Sequence, residues 1–266
     1  MIFIDGKLVQ FGMFPNKESN LNFNNVEFHT HSLITLKFES DLDLFNLYIL
    51  KSYMDETGCR SPYLKILYMP YSRMDRRNEF YTFNLKYVSN FINSMNFAQV
   101  EIFDAHSDVT SALVDRCIDR SNIPYLFAKF QKEVGTENTV IMYPDAGAQK
   151  RYERHFAYPS VVGKKVRSFG DGKILSYEIT GDAAGKNVVI VDDLCSRGGT
   201  FMGAANALKV TGAKDLYLIV SHCENTILEG DVLSSGLFKK VYTTNSIISE
   251  TEATDSFAIL NIYGGK

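Results

Sequence analysis

The chain of 266 residues lacks several features that would place it in common classes of protein. It contains no tryptophan, and no apolar run approaches the roughly 20 residues needed to cross a bilayer. Its N-terminus, MIFIDGKLVQFG, lacks the basic start and apolar core of a signal peptide. The four cysteines are scattered without metal-type spacing, so we expect reduced thiols in a cytoplasmic protein.

The charge balance excludes a further class. The net charge of −3 and the isoelectric point near 6.0 argue against a nucleic-acid-binding surface, which would normally be basic. With 45% hydrophobic residues, a chain of this length can form one large domain or two small ones.

Strand-like and helix-like segments alternate along the chain. Helical spacing of apolar residues is found over 42–54 and 83–95, and again over 201–208. Between them lie apolar runs typical of buried strands, such as YLKILYMPY, VEIFDAH, TVIMYPDAG, NVVIVDD and DLYLIVSHC. This alternation predicts an α/β fold with mainly parallel sheets flanked by helices. Two such halves meet near 127–137, which predicts domains over 1–130 and 131–266.

One stretch, VVIVDDLCSRGGTFMGAANAL at 188–208, has the layout of a phosphate-binding corner. A buried strand leads into a glycine-bearing turn that opens a helix, and backbone N–H groups at a helix N-terminus attract anions. Asp192 and Asp193 end the strand, where ligands bind in open α/β sheets. Because carboxylates accept hydrogen bonds from sugar hydroxyls, the stretch predicts a site for a phosphorylated sugar. An ordinary corner with a solvated acidic pair is the alternative.

Three further strand ends carry polar groups, and the ends of parallel strands gather along one edge of a sheet. A guanidinium group suits phosphate or purine recognition. Histidine with aspartate can bind Mg²⁺ that carries a polyphosphate. The four strand ends together predict a site for ATP, a metal and a sugar phosphate. The polar residues are Arg73, Asp75, Arg76 and Arg77 at the first end, Asp104 and His106 at the second, and Asp145 at the third.

The ordered set of motifs resembles that of the ribose-phosphate pyrophosphokinases, the PRPP synthetases. YMPYSRMDRR is similar to the family's Y-[FG]-x-Y-[AS]-R-Q-D-[RK]-[RK] stretch, FDAHSDV to its D-L-H-A segment and PDAGA to its S-P-D-x-G-G loop. VIVDDLCSRGGT resembles its V-D-D-x-x-D-T-G-G-T loop, and VSHC its A-T-H segment. The resemblance runs through almost the whole chain. It implies two phosphoribosyltransferase-like domains related by a pseudo-twofold axis.

The resemblance assigns ATP-binding roles position by position. MFPNKES matches a loop that a neighbouring subunit contributes to the adenine pocket, with Asn16 in place of the family's aspartate. Met74 stands where the family has glutamine, so one hydrogen bond to adenine is not expected. The implied ATP-binding residues are Phe14, Asn16, Glu18, Arg73 and Asp75.

On the sugar side, Asp192 and Asp193 match the acids that bind the ribose 2- and 3-hydroxyls. In GKKVRSF, Lys165 and Arg167 match a mobile catalytic Lys-x-Arg pair, with Lys164 as an alternative lysine and a solvated loop as the alternative interpretation. The implied ribose-phosphate site comprises Asp145, Asp192, Asp193, Ser196, Arg197, Gly198, Gly199 and Thr200. The implied catalytic residues are Lys165, Arg167 and His106, and the implied metal-associated residues are His106 and Asp145.

The resemblance implies a Mg²⁺-dependent enzyme that transfers the β,γ-diphosphate of ATP to the anomeric hydroxyl of a ribose phosphate and releases AMP. It also implies a homo-oligomer, dimer or higher, that acts on small molecules without nucleic acid or membrane. Such an enzyme works in the cytoplasm, or in the host cytoplasm if a phage encodes it. Two alternatives are a type I phosphoribosyltransferase, which would not account for YMPYSRMDRR or FDAHSD, and a catalytically silent regulatory homologue.

The pair Ser196-Arg197 departs from the family loop, which has Asp-Thr there. The change removes an acid and adds a guanidinium, roughly +2 in local charge at neutral pH. A closed pocket for ribose 5-phosphate has little room for arginine, whereas a pocket that holds a diphosphate has a use for it. The acceptor is therefore either ribose 5-phosphate or a larger 5-phosphate such as ADP-ribose, whose pyrophosphorylated product can accept nicotinamide and rebuild NAD.

Overall fold

The structure is a computed structural model, and it describes residues 1–22, 27–167 and 174–263. The chain forms two compact units, one of Met1–Arg120 with the C-terminal segment from Ile262, the other of Ser121–Asn261. Among the helices of the described ranges, none is long and apolar enough to cross a membrane.

A six-stranded sheet forms the centre of the first unit. Its strands are β1 (Ile2–Ile4), β2 (Lys7–Leu8), β5 (Leu33–Leu36), β6 (Tyr63–Ile66), β7 (Gln99–Phe103) and β8 (Cys117–Arg120), in the order β2-β1-β5-β6-β7-β8. Strands β5 to β8 are parallel, and β1 and β2 form an antiparallel edge. The helices are α1 (Asp41–Glu56), α2 (Asn84–Ser94) and α3 (Asp108–Leu113). Strands β3 (Phe11–Met13) and β4 (Ser19–Leu21) form a separate hairpin.

The two faces of this first sheet differ in character. Alternate strand residues such as Ile34, Leu64 and Ile102 are buried in one apolar core, as the two-residue period of a strand requires. Lys65 is also buried, and its Nζ donates a hydrogen bond of 2.7 Å to the carbonyl oxygen of Ile262. This bond ties the returning C-terminal segment to the first unit.

The second unit contains a seven-stranded sheet. Its strands are β9 (Thr139–Tyr143), β10 (Ser160–Arg167), β11 (Ile174–Thr180), β12 (Asn187–Cys195), β13 (Leu216–Cys223), β14 (Phe238–Thr244) and β15 (Phe257–Leu260). The order is β11-β10-β9-β12-β13-β14-β15, and β11 alone runs antiparallel to its neighbour. The helices are α4 (Ile123–Val134), α5 (Ala146–Tyr152) and α6 (Gly199–Val210).

Strand β12 shows why a central strand of the second unit contains an unbroken apolar run, VVIV at 188–191. Val188 and Ile190 belong to the core beside α6, whereas Val189 and Val191 belong to the core on the opposite face. A parallel strand covered by helices on both sides buries residues of both its faces, and 188–191 are all buried. The predicted α/β fold with mainly parallel sheets flanked by helices is confirmed.

Helix α4 was not anticipated from the sequence. It lies over 123–134, close to where the sequence predicts that two halves meet, and the predicted boundary between 130 and 131 falls inside it. Pro124 stands in its first turn, where a missing N–H costs nothing. Leu126 and Phe130 then repeat on the helix face that packs in the second unit. The basic run GKKVR also differs from a solvated loop, since it lies in β10 up to Arg167.

Candidate active site

A pocket of about 210 Å³ in the first unit follows the ends of β6 and β7. It brings together Arg73, Asp75 and His106, which the resemblance assigned to the site, and Arg76, which the strand-end pattern placed there. Sequence reasoning missed three others, although they follow the matched RMDRR segment directly. The complete lining is Arg73, Met74, Asp75, Arg76, Asn78, Tyr81, Thr82 and His106.

Two strained backbone positions precede the pocket residues. Tyr71 has a φ of +61° and Asp104 a φ of +41°, each two residues before a side chain that lines the pocket. Residues other than glycine rarely adopt such conformations, which cost on the order of 1–3 kcal/mol and cluster at binding sites. Their strain is tolerated because the surrounding fold holds them: the Tyr71 hydroxyl donates to Asp41 Oδ1, and Asp104 N donates to Arg120 O.

Asp75 is the buried acid of the pocket. Burial alone would raise its pKa, but hydrogen bonds from Arg76 and Ser107 and the positive charge near Arg76 and His106 outweigh it, so the pKa is lowered. Arg76 Nε lies 3.0 Å from Asp75 Oδ1. The carboxylate is therefore ionised at neutral pH and orients the Arg76 guanidinium at the pocket wall.

Phe14, Asn16 and Glu18 lie elsewhere in the first unit, in the turn between β3 and β4. Phe14 N donates to Glu18 O at 2.8 Å, and Glu18 N donates to Asn16 Oδ1 at 3.2 Å. None of these three residues lines the pocket described above, and Phe14 is 50% exposed. An exposed, well-formed turn suits a segment that completes a site on another copy, which stays a prediction.

The phosphate-type corner predicted in the second unit is formed between β12 and α6. Gly198 caps the helix with a φ of +84°, and a Cβ there would lie 2.1 Å from Val232 Cγ2. Met202 N donates the first helical bond, to Gly198 O. The N–H groups of Gly199 and Thr200 therefore have no acceptor within the helix and are available to an anion.

The segment after β13 holds this corner in place. Glu224 N donates to Cys195 O at 2.8 Å, and the hydroxyls of Ser196 and Thr226 are 3.1 Å apart. Gly230 packs so closely that a Cβ there would lie 2.2 Å from Arg197 O. The turn over 195–200, the predicted phosphate loop, thus depends on a second loop some 30 residues later, which local sequence patterns did not reveal.

Gly230→Ala is expected to displace the phosphate loop, because the new methyl group would overlap the backbone of Arg197. A displacement of about 1 Å can lower kcat/KM by roughly 100-fold, and we expect a loss of that order for the sugar phosphate. Gly236→Ala is the control: its φ of +69° makes alanine strained, but the methyl group meets nothing within 4 Å. Equal losses in the two variants would show that general destabilisation, and not the loop, causes the effect.

The predicted acids lie close together at the strand ends. Asp192 Oδ1 accepts a 2.9 Å hydrogen bond from Asp193 N, and Asp145 caps α5 by accepting from Ala148 N at 3.0 Å. Burial, followed by the negative charge of Asp193 and Asp145, raises the pKa of Asp192 well above its ordinary value. The site therefore holds an excess of negative charge that sugar hydroxyls or a cation would relieve.

Arg151 and Tyr177 also belong to this site, although sequence reasoning missed both. Arg151 extends from α5, and its Nη1 lies 3.2 Å from Asp193 Oδ2. Burial by itself would lower the pKa of Arg151, but the Asp193 carboxylate outweighs it, so the pKa is raised. The Tyr177 hydroxyl donates to Pro144 O at 2.5 Å, directly before Asp145. The PDAGA motif continues into the helix that bears Arg151, which was the available signal.

Lys165 and Arg167 belong to β10, which pairs with β11 in an antiparallel hairpin. Position 165 stands opposite Tyr177, and position 164 stands opposite Glu178. The side chains of Lys165 and Arg167 lie outside the part of the chain that the structure describes. Their assignment as a catalytic pair stays a prediction.

The carboxylates of the second unit can be compared with the ligands that the expected Mg²⁺ prefers. Within the described ranges, no three or more His, Cys, Asp or Glu side chains converge as a protein-only metal site. Mg²⁺ is usually held by one or two carboxylates together with substrate phosphates and water. Asp145 and Asp192, whose charges act on each other, fit that kind of binding. His106, the other residue that the resemblance associates with the metal, lies in the first unit.

The chain has the architecture of two α/β units, each built on a mainly parallel sheet. The crystal structure of phosphoribosylpyrophosphate synthetase from Mycobacterium smegmatis is similar in fold, with a TM-score of 0.78 over 96% of this chain and 86% of that chain, at 20% identity. The sequence profile of the phosphoribosyl synthetase-associated domain matches residues 170–262.

Curated relatives extend the likeness to sequence. A ribose-phosphate pyrophosphokinase of Bradyrhizobium diazoefficiens is 27% identical over 82% of this chain and 67% of its own length. One of Marinomonas sp. is 29% identical over 73% of this chain and 60% of its own length. The chain thus spans about two thirds of the length of these relatives. The chain is thus similar in sequence to the ribose-phosphate pyrophosphokinases, the family that its motifs resemble, and their name denotes the diphosphotransferase class expected from the sequence.

Proposed function

We propose that the protein transfers the β,γ-diphosphate of ATP to the anomeric hydroxyl of a ribose 5-phosphate-type acceptor and releases AMP. The observation that supports this most directly is the corner before α6. There an open helix N-terminus lies on the same strand–turn–helix stretch as Asp192 and Asp193, and Arg151 holds Asp193 in place. One such corner supplies both kinds of group that a phosphorylated sugar needs, anion donors and hydroxyl acceptors.

In this proposal the N–H groups of Gly199 and Thr200 bind the 5-phosphate, and Asp192 and Asp193 accept from the ribose hydroxyls. Fixing the sugar in this way aligns its anomeric oxygen with the β-phosphorus of ATP. The proposed ATP residues are those of the first-unit pocket, including Arg73 and Asp75. In an oligomer of this chain, the exposed Phe14, Asn16 and Glu18 turn of another subunit would complete the nucleotide site.

The transfer forms a bond between the anomeric oxygen and the β-phosphorus. The bond between that phosphorus and the oxygen bridging to the α-phosphorus breaks, its electron pair leaves on AMP, and the hydroxyl proton passes to solvent. Lys165 and Arg167 are proposed to stabilise the charge on the moving group and on AMP. A bound Mg²⁺ would neutralise phosphate charge, and Asp145 and Asp192 are the described carboxylates that would hold it in the second unit. The motif-based assignment of His106 as a metal-associated residue stays a prediction.

An assay of AMP release tests the proposal. With ATP and Mg²⁺, AMP should form in proportion to added acceptor and not in its absence. A type I phosphoribosyltransferase would instead release diphosphate from PRPP in the presence of a base, and a silent homologue would do neither. The comparisons favour neither alternative.

The acceptor is the finer part of the proposal. Arg197 is 66% exposed and forms an ion pair with Glu229, which is 60% exposed. An exposed pair of this kind contributes only about 0–1 kcal/mol, so the guanidinium can exchange Glu229 for phosphate oxygens at little cost. The exposed position leaves room for a group beyond the 5-phosphate. These features support ADP-ribose as an acceptor beside ribose 5-phosphate.

Ser196→Asp/Arg197→Thr, which restores the family loop, is expected to lower the ratio of kcat/KM for ADP-ribose to that for ribose 5-phosphate by about tenfold or more. The reason is the loss of a charge-assisted hydrogen bond worth roughly 1.5–3 kcal/mol. Glu229→Gln is the control, since it frees Arg197 and should shift the ratio towards ADP-ribose. A wild-type preference for ribose 5-phosphate that neither variant changes would contradict the larger acceptor.

A further inference from the structure

A tight turn over 78–82 forms part of the pocket in the first unit. Asn78 Oδ1 accepts hydrogen bonds from Phe80 N at 2.9 Å and Tyr81 N at 2.8 Å, and Asn78 N donates to Tyr81 O at 3.3 Å. An asparagine that bonds the backbone two and three residues on closes a turn without help from a sheet. The turn therefore fixes the backbone of two successive aromatic residues.

The two aromatic residues differ in what they face. Tyr81 lines the pocket and is 69% exposed, whereas Phe80 is 84% exposed and does not line it. Within the described ranges, no hydrogen bond or ring contact holds the side chain of Tyr81. A large ring kept in water at a pocket wall offers an unused apolar surface to a flat ligand.

The rest of the pocket lining offers a ligand two kinds of group, charged and uncharged. Arg73 and Arg76 supply guanidinium groups suited to phosphate oxygens. Met74 supplies a thioether that already accepts from Asn84 Nδ2 at 3.3 Å, and a thioether has no proton to donate to a base. A base next to Met74 therefore receives no donated hydrogen bond from that side chain, and contact with the flat face of the base can supply affinity in its place.

We infer that Tyr81 is the base-stacking residue of this pocket, and that it takes the purine of the nucleotide donor while the guanidinium groups take its phosphates. The inference rests on the proposed function, which requires ATP in the same pocket. Every base presents a π-face, and stacking on an aromatic side chain is worth about 1–3 kcal/mol. Tyr81 thereby supplies affinity that Met74 cannot supply by hydrogen bonding.

The absence of tryptophan from the chain allows a direct test. Tyr81→Trp and Phe80→Trp each carry a single tryptophan, on neighbouring positions of one turn. Titration with ATP is expected to quench the fluorescence of the first variant with the Kd of ATP binding and to leave the second unchanged. Equal responses of the two variants would overturn the inference.

Truncation tests the energetic contribution. Tyr81→Ala is expected to raise the Kd for ATP at least fivefold, the lower end of the stacking range, while Tyr81→Phe and Phe80→Ala keep the wild-type value. Inorganic tripolyphosphate, which has no base, should bind wild type and Tyr81→Ala alike. If wild type binds ATP in equilibrium dialysis and Tyr81→Ala binds it equally well, this inference fails alone. If wild type does not bind ATP, the proposed function fails with it.

Discussion

Asp192→Asn is expected to stabilise the protein at neutral pH and at the same time to remove most of its activity. Burial and the neighbouring acids raise the pKa of Asp192, so its ionised form is unfavourable in the folded state. An amide of the same shape carries no charge and removes that cost. The same substitution takes away the charged acceptor that we propose for a ribose hydroxyl, and we therefore expect kcat/KM to fall by about 10- to 100-fold.

The pH dependence of this effect has a definite sign. A raised pKa means that the folded protein keeps the Asp192 proton at pH values where the unfolded chain has lost it. The contribution of Asp192 to the free energy of unfolding is therefore fully present below the unfolded pKa of about 3.9. It is lost as the pH rises through the folded pKa. The melting temperature of Asp192→Asn relative to wild type should increase across that window and then stay constant.

Asp193→Asn is the matched control, because the same atoms change one residue further along the strand. Its carboxylate pairs with Arg151, whose side chain is 26% exposed. Loss of that partner leaves a half-buried guanidinium without its carboxylate and is expected to cost roughly 1–3 kcal/mol. Thermal unfolding should therefore shift upward for Asp192→Asn and downward for Asp193→Asn. Shifts of the same sign would contradict the assigned roles of the two acids.

Lys165→Ala and Arg167→Ala are expected to lower kcat by about 100- to 1000-fold, the loss seen when one donor to developing charge is removed. The KM values for ATP and the sugar phosphate should change little, because these groups are proposed to act in the transition state. Initial rates at saturating substrates measure the effect. An increase in KM with unchanged kcat would move these residues to a binding role.

Lys164→Ala is the control for this pair. The hairpin sets position 164 opposite the exposed Glu178, whereas position 165 stands opposite Tyr177, whose hydroxyl contacts Pro144 beside Asp145. Lys164 itself is exposed, and it is the alternative to Lys165 in the predicted catalytic pair. Near-wild-type activity of Lys164→Ala is expected. A larger loss for Lys164→Ala than for Lys165→Ala would reverse the assignment.

The sequence by itself determined the strands and helices that carry the candidate site. The corner at 188–208 could be predicted because strand, glycine turn and helix follow one another within a single stretch of chain, and their patterns are local. Arg73, Asp75 and His106 were likewise predictable from short motifs after apolar strands, and the structure places them in one pocket. Local propensity and hydrophobic period were sufficient for these features.

The tertiary structure alone decided which distant residues support that site. Arg151 contacts Asp193, which lies 42 positions later in the sequence, and Gly230 packs on Arg197, which lies 33 positions earlier. The same holds for the unit boundary, since the apolar face of α4 fits either half until its packing is known. A contact between remote segments depends on sheet order and side-chain packing, which leave no periodic trace in the sequence. The motifs therefore predicted which residues form the candidate site, while the packing of remote segments decided which groups hold that site in shape.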